Sequence, residues 1–375
     1  MPHSLSALTL LAVASTSAAA ADPGRVYFGG YTGPGTGGKG IYTATFDKAT
    51  GTLTQPELAV AVGSPSFLCP APDGKTLYAV GESDGKDADG GPVYAYRIDP
   101  ATGKLTLLNQ LTSGGSGPCH VAVDAKGEFA VVANYGGGSC AVFKLAADGR
   151  LAERTAFVQH KGSVALPERQ GGPHAHCGAF DPTGNTVLVS DLGLDKLLVY
   201  QLDRATGKLT PRPPVVLPPG SGPRHFELSP KADFAVVCGE IDSTVNLVTL
   251  DLAAGTSAVT QSLSTLPAPV KGNSTAECRL HPSGKFVYVS NRGHNSIAAF
   301  KLDAGKLTAI GHATEGIKIP RNFNFDPSGE FLLVANQDGN SVVVFKLGAD
   351  GVPTPTGAKI DVPAPVCIKF VATKG

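Results

Sequence analysis

One pattern recurs along this chain and leaves few architectures open. The stretches APDGKTLYAVGE (71–82), VDAKGEFAVVANY (123–135), FDPTGNTVLVSDL (180–192), LSPKADFAVVCGE (228–240), LHPSGKFVYVSNR (280–292) and FDPSGEFLLVANQ (325–337) each join a turn, usually Pro-x-Gly, to a short β-rich run. The turn residue is Gly74, Gly127, Gly184, Ala232, Gly284 or Gly329, so the unit is about 45–57 residues long. A second segment follows each run, as in VYAYRIDPATGKLT (93–106) and LLVYQLDRATGKLT (197–210). Its alternating residues on either side of a D-x-x-T-G-type turn read as a hairpin. Four short strands in a unit of this length make a propeller blade. A seventh run, RVYFGGY (25–31), lacks the turn and a preceding strand, whereas APVCIKFVAT (364–373) matches that preceding strand and has none after it. The expectation is an all-β, seven-bladed β-propeller. Its ring is closed by N- and C-terminal strands sharing a blade, which leaves no edge strand open.

Composition narrows the class further. Gly (47) and Pro (29) supply the many turns, and 42% apolar residues suffice for a core. Lys plus Arg (31) balance Asp plus Glu (31) with no basic patch or tail, which argues against a nucleic-acid partner. MPHSLSALTLLAVASTSAAAADPG opens the chain, an apolar run leading into small residues. It reads as a secretory leader over 1–21, although it carries no Lys or Arg before the apolar run. The run is too short to span a membrane, and no other stretch offers a membrane segment. The expected organisation is a leader at 1–21 and one propeller domain at 22–375, exported to the periplasm or beyond. The seven cysteines show no CxxC pair and no zinc spacing, and most fall in apolar strand patterns, where a small buried thiol is expected.

In a repeat protein the shared residues build the scaffold, and polar residues peculiar to one blade are the candidates for function. Eight residues before each turn stand Ser66, Cys119, His176, Arg224, Ala276 and Arg321; seven before stand Phe67, His120, Cys177, His225, Glu277 and Asn322. Eight residues after stand Glu82, Tyr135, Leu192, Glu240, Arg292 and Gln337, and seven after come Asn134, Asp191, Asn291 and Asn336. The two strands of each pair run antiparallel, so both sets reach the same mouth of the central channel. A satisfied structural network is the plain reading of any one of these residues. Three arginines converging with His and Glu point instead to a pocket for an anionic ligand, because a guanidinium binds carboxylate or phosphate through two parallel hydrogen bonds. His174 and His176 in GGPHAHCGAF (171–180) sit two apart on a strand and face the same side, and no carboxylate cluster completes a metal site with them. No metal and no cofactor is expected.

These residues carry a resemblance. The chain resembles the lactonase family of seven-bladed propellers, which includes the propeller-type 6-phosphogluconolactonases and the fungal 3-carboxy-cis,cis-muconate lactonizing enzymes. The similar pieces are YTG (31–33), GPCHVAVDAKGEFAVVANYGGGS (117–139), PHAHCGAFDPTG (173–184), GPRHFELSP (222–230), NSTAECRLHPSGKFVYVSNRGHNSI (273–297) and PRNFNFDPSG (320–329). The resemblance implies a catalytic histidine at His176, arginines at Arg224 and Arg292, with Arg321 the competing position, and a glutamate at Glu240. His120, His174, His225, Glu277, Asn291, Arg321, Asn322 and Asn336 are then the expected substrate-binding residues. Lactone hydrolysis needs an activated water and a stabilised oxyanion; His176 or Glu240 is the candidate base and the arginines suit the anion. Three functions stay open: a hydrolase of an anionic or polyhydroxy sugar lactone, an intramolecular lyase making the same bond in reverse, and a non-catalytic exported binding propeller. The sequence leaves the oligomeric state open.

Overall fold

Seven antiparallel sheets follow one another around a ring. The computed structural model describes residues 24–82, 89–164 and 169–371; the leader expected at 1–21 lies outside them. Blade 1 begins at Phe67–Pro70, and blades 2 to 6 begin with the inner strands Pro118–Val123, Ala175–Phe180, Pro223–Leu228, Ser274–Leu280 and Pro320–Phe325. In each of these six blades four consecutive strands run outward from the channel. Burial follows that order: Phe129–Asn134 is buried throughout, whereas the outer Leu151–Gln159 is largely exposed. Blade 7 closes the ring. Its innermost strand is the C-terminal Pro365–Val371, paired with Gly24–Gly30 so that Val26 faces Phe370 and Phe28 faces Ile368. Gly40–Asp47 comes next, and the outer edge is divided into Thr52–Leu53 and Glu57–Ala61.

The apolar core lies between blades. Val187, Val189 and Tyr200 of blade 3 pack on Phe129, Val131 and Val142 of blade 2. Phe331, Leu333 and Val344 of blade 6 pack in the same way on Val26, Phe28 and Phe46. Each sheet is therefore apolar on both faces, which is why the second-strand runs lack a clean polar alternation. Each turn residue closes a backbone hydrogen bond of 2.8–3.0 Å to the residue three before it. The glycines there have φ near +70°, a left-handed conformation that favours glycine, and Ala232 takes +53°.

Two further repeats aim the channel mouth. In every blade except the first, the pairing of the innermost strand with its neighbour shifts register near its start. Cys119, His176 and Arg321 are each skipped in this way, as is Val366 in the closing blade. A β-bulge re-aims side chains that strict alternation would send to opposite faces. Here it lets consecutive residues such as Arg224 and His225 line one cavity. The second repeat is a clasp between blades. Asp195, Asn295 and Asn340 have φ near +50° in the loop after their own second strand. Their side-chain oxygens accept, at 2.8 Å, the backbone N–H of Gly222, Ile319 and Ala364 at the entrance to the next blade. Gly222 and Ile319 stand two residues before Arg224 and Arg321, so the clasp fixes the height at which those arginines enter the channel.

Candidate active site

At the channel mouth a cavity of about 270 Å³ is lined by Glu82, Tyr135, Arg169, His176, Arg224, Glu240, Ser274, Arg292 and Arg321. The size is near the lower end of small-ligand pockets, roughly 300 Å³, and suits one sugar ring rather than a chain of them. Four arginines against two glutamates leave a formal excess of two positive charges.

Glu240 organises three of the arginines. Its Oε2 lies 2.8 Å from Arg224 Nε, and its Oε1 lies 2.6 Å from Arg169 Nη2 and 3.2 Å from Arg292 Nη2. Burial pushes the Glu240 carboxyl upward, but Arg292, Arg224 and Arg169 together outweigh it and hold the group at about 2. A carboxylate this firmly ionised is a weak base; its chemistry here is to fix guanidinium groups. Backbone carbonyls complete their orientation: Arg224 Nη1 donates to Ala276 O and Arg292 Nη2 donates to Thr275 O at 2.8 Å. Burial and the neighbouring Arg224 bring Arg292 down to about 10, and it stays charged near neutrality. Arg321 differs. Its guanidinium sits 5.5 Å from the centre of the Tyr31 ring and makes no hydrogen bond or ion pair among the described residues, although burial is outweighed by Tyr31, Glu82 and Glu240 nearby, which hold it charged.

His176 stands in the same wall and is 4% exposed. Burial holds its pKa well below the ordinary histidine value, and Arg224, His225 and Arg321 push it further in that direction. The ring is neutral near pH 7, and its Nδ1 has no partner among the described residues. His174 is outside the cavity. It stacks on Tyr135 with ring centres 4.7 Å apart, and its Nδ1 is 3.0 Å from Tyr135 O, so it positions a residue that is in the wall.

Five of the expected site residues thus meet in one cavity: His176, Glu240, Arg224, Arg292 and Arg321. His225 lies directly beneath, in a smaller cavity that continues down the channel. His120, Glu277 and Asn322 belong to that lower layer, where Asn322 Nδ2 donates to Glu277 Oε2 and Cys177 Sγ is 3.4 Å from His120 Nε2. Asn291 and Asn336, expected among the substrate-binding residues, do not line the cavity. Asn291 bonds Thr265, Asn273 and Ser296, and Asn336 bonds Gly316, Lys318 and Ser341. Their slot is one residue from the Arg292 slot on the same strand, so alternation turns it into the loops between strands. Sequence reasoning passed over Glu82, Tyr135, Arg169 and Ser274. Glu82 and Tyr135 occupy the slot of Glu240 and Arg292 and were legible there. Arg169 comes from the long connection between blades 2 and 3, which has no counterpart in the repeat.

Acid should destabilise this protein steeply, because the folded state keeps these groups deprotonated. His120, His176 and His225 have folded pKa values depressed below 6.5, each chiefly by burial. Glu277, like Glu240, is held at about 2 against 4.5, with burial outweighed by His225, Arg279 and Lys369. Depressed folded values give stability that is present above the unfolded pKa and lost as pH falls toward the folded one. The window therefore opens at 6.5 for the histidines and at 4.5 for the glutamates. The three histidines alone give a slope of up to about 4 kcal/mol per pH unit. Urea midpoints measured from pH 7.5 to 4 should be flat above 7 and fall increasingly below 6. A flat profile down to pH 4.5 would contradict the buried neutral histidines.

The family model "Lactonase, 7-bladed beta-propeller" matches residues 25–370. The 6-phosphogluconolactonase of Bacillus subtilis is 36% identical over 349 residues, covering 92% of this chain and 97% of that protein. A protein of the same name from Formosa agariphila is 31% identical and covers 77% of this chain and 83% of its own. Among solved structures, the periplasmic gluconolactonase of Pseudomonas aeruginosa superposes with a TM-score of 0.87 at 31% identity, over 94% of this chain and 100% of that one. The seven blades, the closing strand pair and the match along nearly the whole described chain make this protein a member of the lactonase family of seven-bladed β-propellers.

Proposed function

We propose that this protein is a lactonase that opens a sugar lactone by attack of water, and that the preferred lactone carries an anionic group. The observation that carries the reading is the cavity's excess of two positive charges beside a neutral, buried imidazole. Neutral His176 takes a proton from water as the oxygen adds to the lactone carbonyl. Arg224 and Arg292, held by Glu240, stabilise the oxyanion that develops. When the tetrahedral intermediate collapses, the ring C–O bond breaks and the imidazolium returns the proton to the leaving alkoxide. The product is the open hydroxy acid. Arg321, whose guanidinium makes no ion pair among the described residues, receives the substrate's anionic group. Closing a carboxylated diene in the reverse sense needs an acid that delivers a proton to carbon, and a histidine held below its ordinary pKa suits the base role better.

The test is a panel of phosphorylated and unphosphorylated aldonolactones followed by acid release, with spontaneous opening subtracted. The expected preference for the phosphorylated lactone is about 100-fold in kcat/KM. Arg321→Ala should abolish it by raising KM for the phosphorylated lactone about 100-fold, as expected for a charge-assisted contact of about 2.7 kcal/mol. Equal kcat/KM across the panel, unchanged in Arg321→Ala, would remove the anion site. One observation favours a second reading. The leader expected at 1–21 would direct export, and a periplasmic enzyme would meet the free aldonolactone. In that case the arginines bind the developing carboxylate alone, and the same panel shows the opposite preference.

A further inference from the structure

Below the cavity at the mouth, the channel narrows to a space of about 10 Å³ lined by Ser66, Phe67, Glu82, Cys119, His176, Arg224, His225, Arg321 and Val366. About this volume holds one water molecule, provided polar partners converge on it. Three residues of its lining carry a buried polar atom without a partner among the described residues: Ser66 Oγ, His176 Nδ1 and His225 Nε2. The three residues are each 4% exposed. Buried polar atoms of this kind normally have a partner, so three around one water-sized space point to a ligand.

What lies behind His225 gives the water a direction. Its Nδ1 is 2.9 Å from Glu277 Oε1, and Glu277 Oε2 accepts from Asn322 Nδ2, whose Oδ1 in turn accepts from Ile368 N at 2.8 Å. The chain of contacts crosses blades 4, 5, 6 and 7, so Glu277 has little freedom. The ionised carboxylate accepts from Nδ1–H of His225 and leaves its Nε2 as an acceptor. The rings of His225 and His176 are 5.1 Å apart, centre to centre. We propose that His225 and Glu277 form a positioning dyad that acts on His176 through one bound water. That water donates to His225 Nε2 and accepts from Nδ1–H of His176, which leaves the Nε2 lone pair of His176 for the substrate's water. When His176 becomes an imidazolium, its positive charge is opposed by Glu277 through the same chain. This inference rests on the lactonase reading for its kinetic consequences, but the proton it assigns to His176 does not depend on that reading.

The groups facing His176 are Arg224, Arg321, His225, the Tyr135 ring and Glu82, which shares both cavities with it; those facing His225 are Glu277, Arg224, Lys369 and the rings of His120 and Phe67. Glu277 is the dyad's own negative charge, bonded to His225, and it can be neutralised with little change of shape. In Glu277→Gln, kcat should fall about 10- to 100-fold with KM within about twofold. The acid limb of the kcat profile should move to lower pH, because the imidazolium has lost its counter-charge. His225→Gln should behave alike, which guards against a folding defect peculiar to one variant. In a His176→Asn background, Glu277→Gln should cost nothing further, because the dyad acts through His176. Histidine nitrogen NMR on labelled protein should show His176 in the Nδ1–H form, and a mixture of forms in Glu277→Gln. An equal loss of kcat in both backgrounds, or a raised KM with kcat intact, would overturn the dyad in favour of a structural or substrate-binding role. So would His176 carrying its proton on Nε2 in the unaltered protein. If the protein opens no lactone, the lactonase reading fails and the NMR result still decides the dyad.

Discussion

Replacing His176 by Asn is expected to lower kcat for lactone opening about a thousandfold, within the range for loss of a general base, while KM changes less than about threefold. The split follows from the charge distribution. Neutral His176 gives little to anion binding, which the guanidinium groups perform, and it contributes when a proton must leave the attacking water. Asn keeps a polar group of similar reach near Nδ1 and cannot take the proton. The pH profile of the unaltered enzyme belongs to the same prediction. Protonation silences the base, and the folded pKa is depressed, so kcat/KM should hold through neutrality and fall only below 6.5. A bound anion opposes the push from Arg224 and Arg321, so the acid limb of kcat should lie at higher pH than that of kcat/KM. Stopped-flow acid release on purified variants reads both. A variant that retains more than a tenth of kcat would remove His176 from the chemistry.

The ring was legible in the sequence because a repeat multiplies a weak signal. One Pro-x-Gly turn before a β-rich run says little; six in step, with a half-blade at each end, leave little but a closed propeller. The mouth was legible for the same reason, since Arg224, Arg292 and Glu240 stand in slots whose counterparts in other blades differ. The repeat also hid two things. Strand alternation implies that adjacent residues point apart, yet the bulge brings both Arg224 and His225 to the channel, and a bulge leaves no mark in residue type. For Asn291 and Asn336 alternation does hold, and polar character alone could not separate a substrate contact from a loop anchor. Arg169 was out of reach because its segment belongs to no repeat, and it bonds Glu240 across the mouth from blade 4.

Glu240→Ala separates the two roles open to that residue, with a large effect either way. In the reading developed above, Glu240 holds Arg224, Arg292 and Arg169, and removing it leaves buried guanidinium groups facing one another. Breaking a buried ion pair on one side costs about 3–5 kcal/mol, and burial together with the charge of Arg224 already lowers Arg292. The variant should therefore unfold at clearly lower urea, and kcat/KM should fall because the oxyanion donors lose their positions. The cavity would gain one more unit of positive charge, so inorganic phosphate should stabilise the variant more than the unaltered protein, by mass action on the folded state. Glu240→Gln, which keeps a hydrogen-bonding group of the same shape against the guanidinium groups, completes the test: if Glu240 were instead the base, it would abolish kcat as fully as Glu240→Ala, whereas in the positioning role it retains part of kcat. The Glu240 carboxyl, held at about 2, argues for the positioning role: a group that ionised binds protons too weakly to take one from water, and its three arginine contacts account for its position.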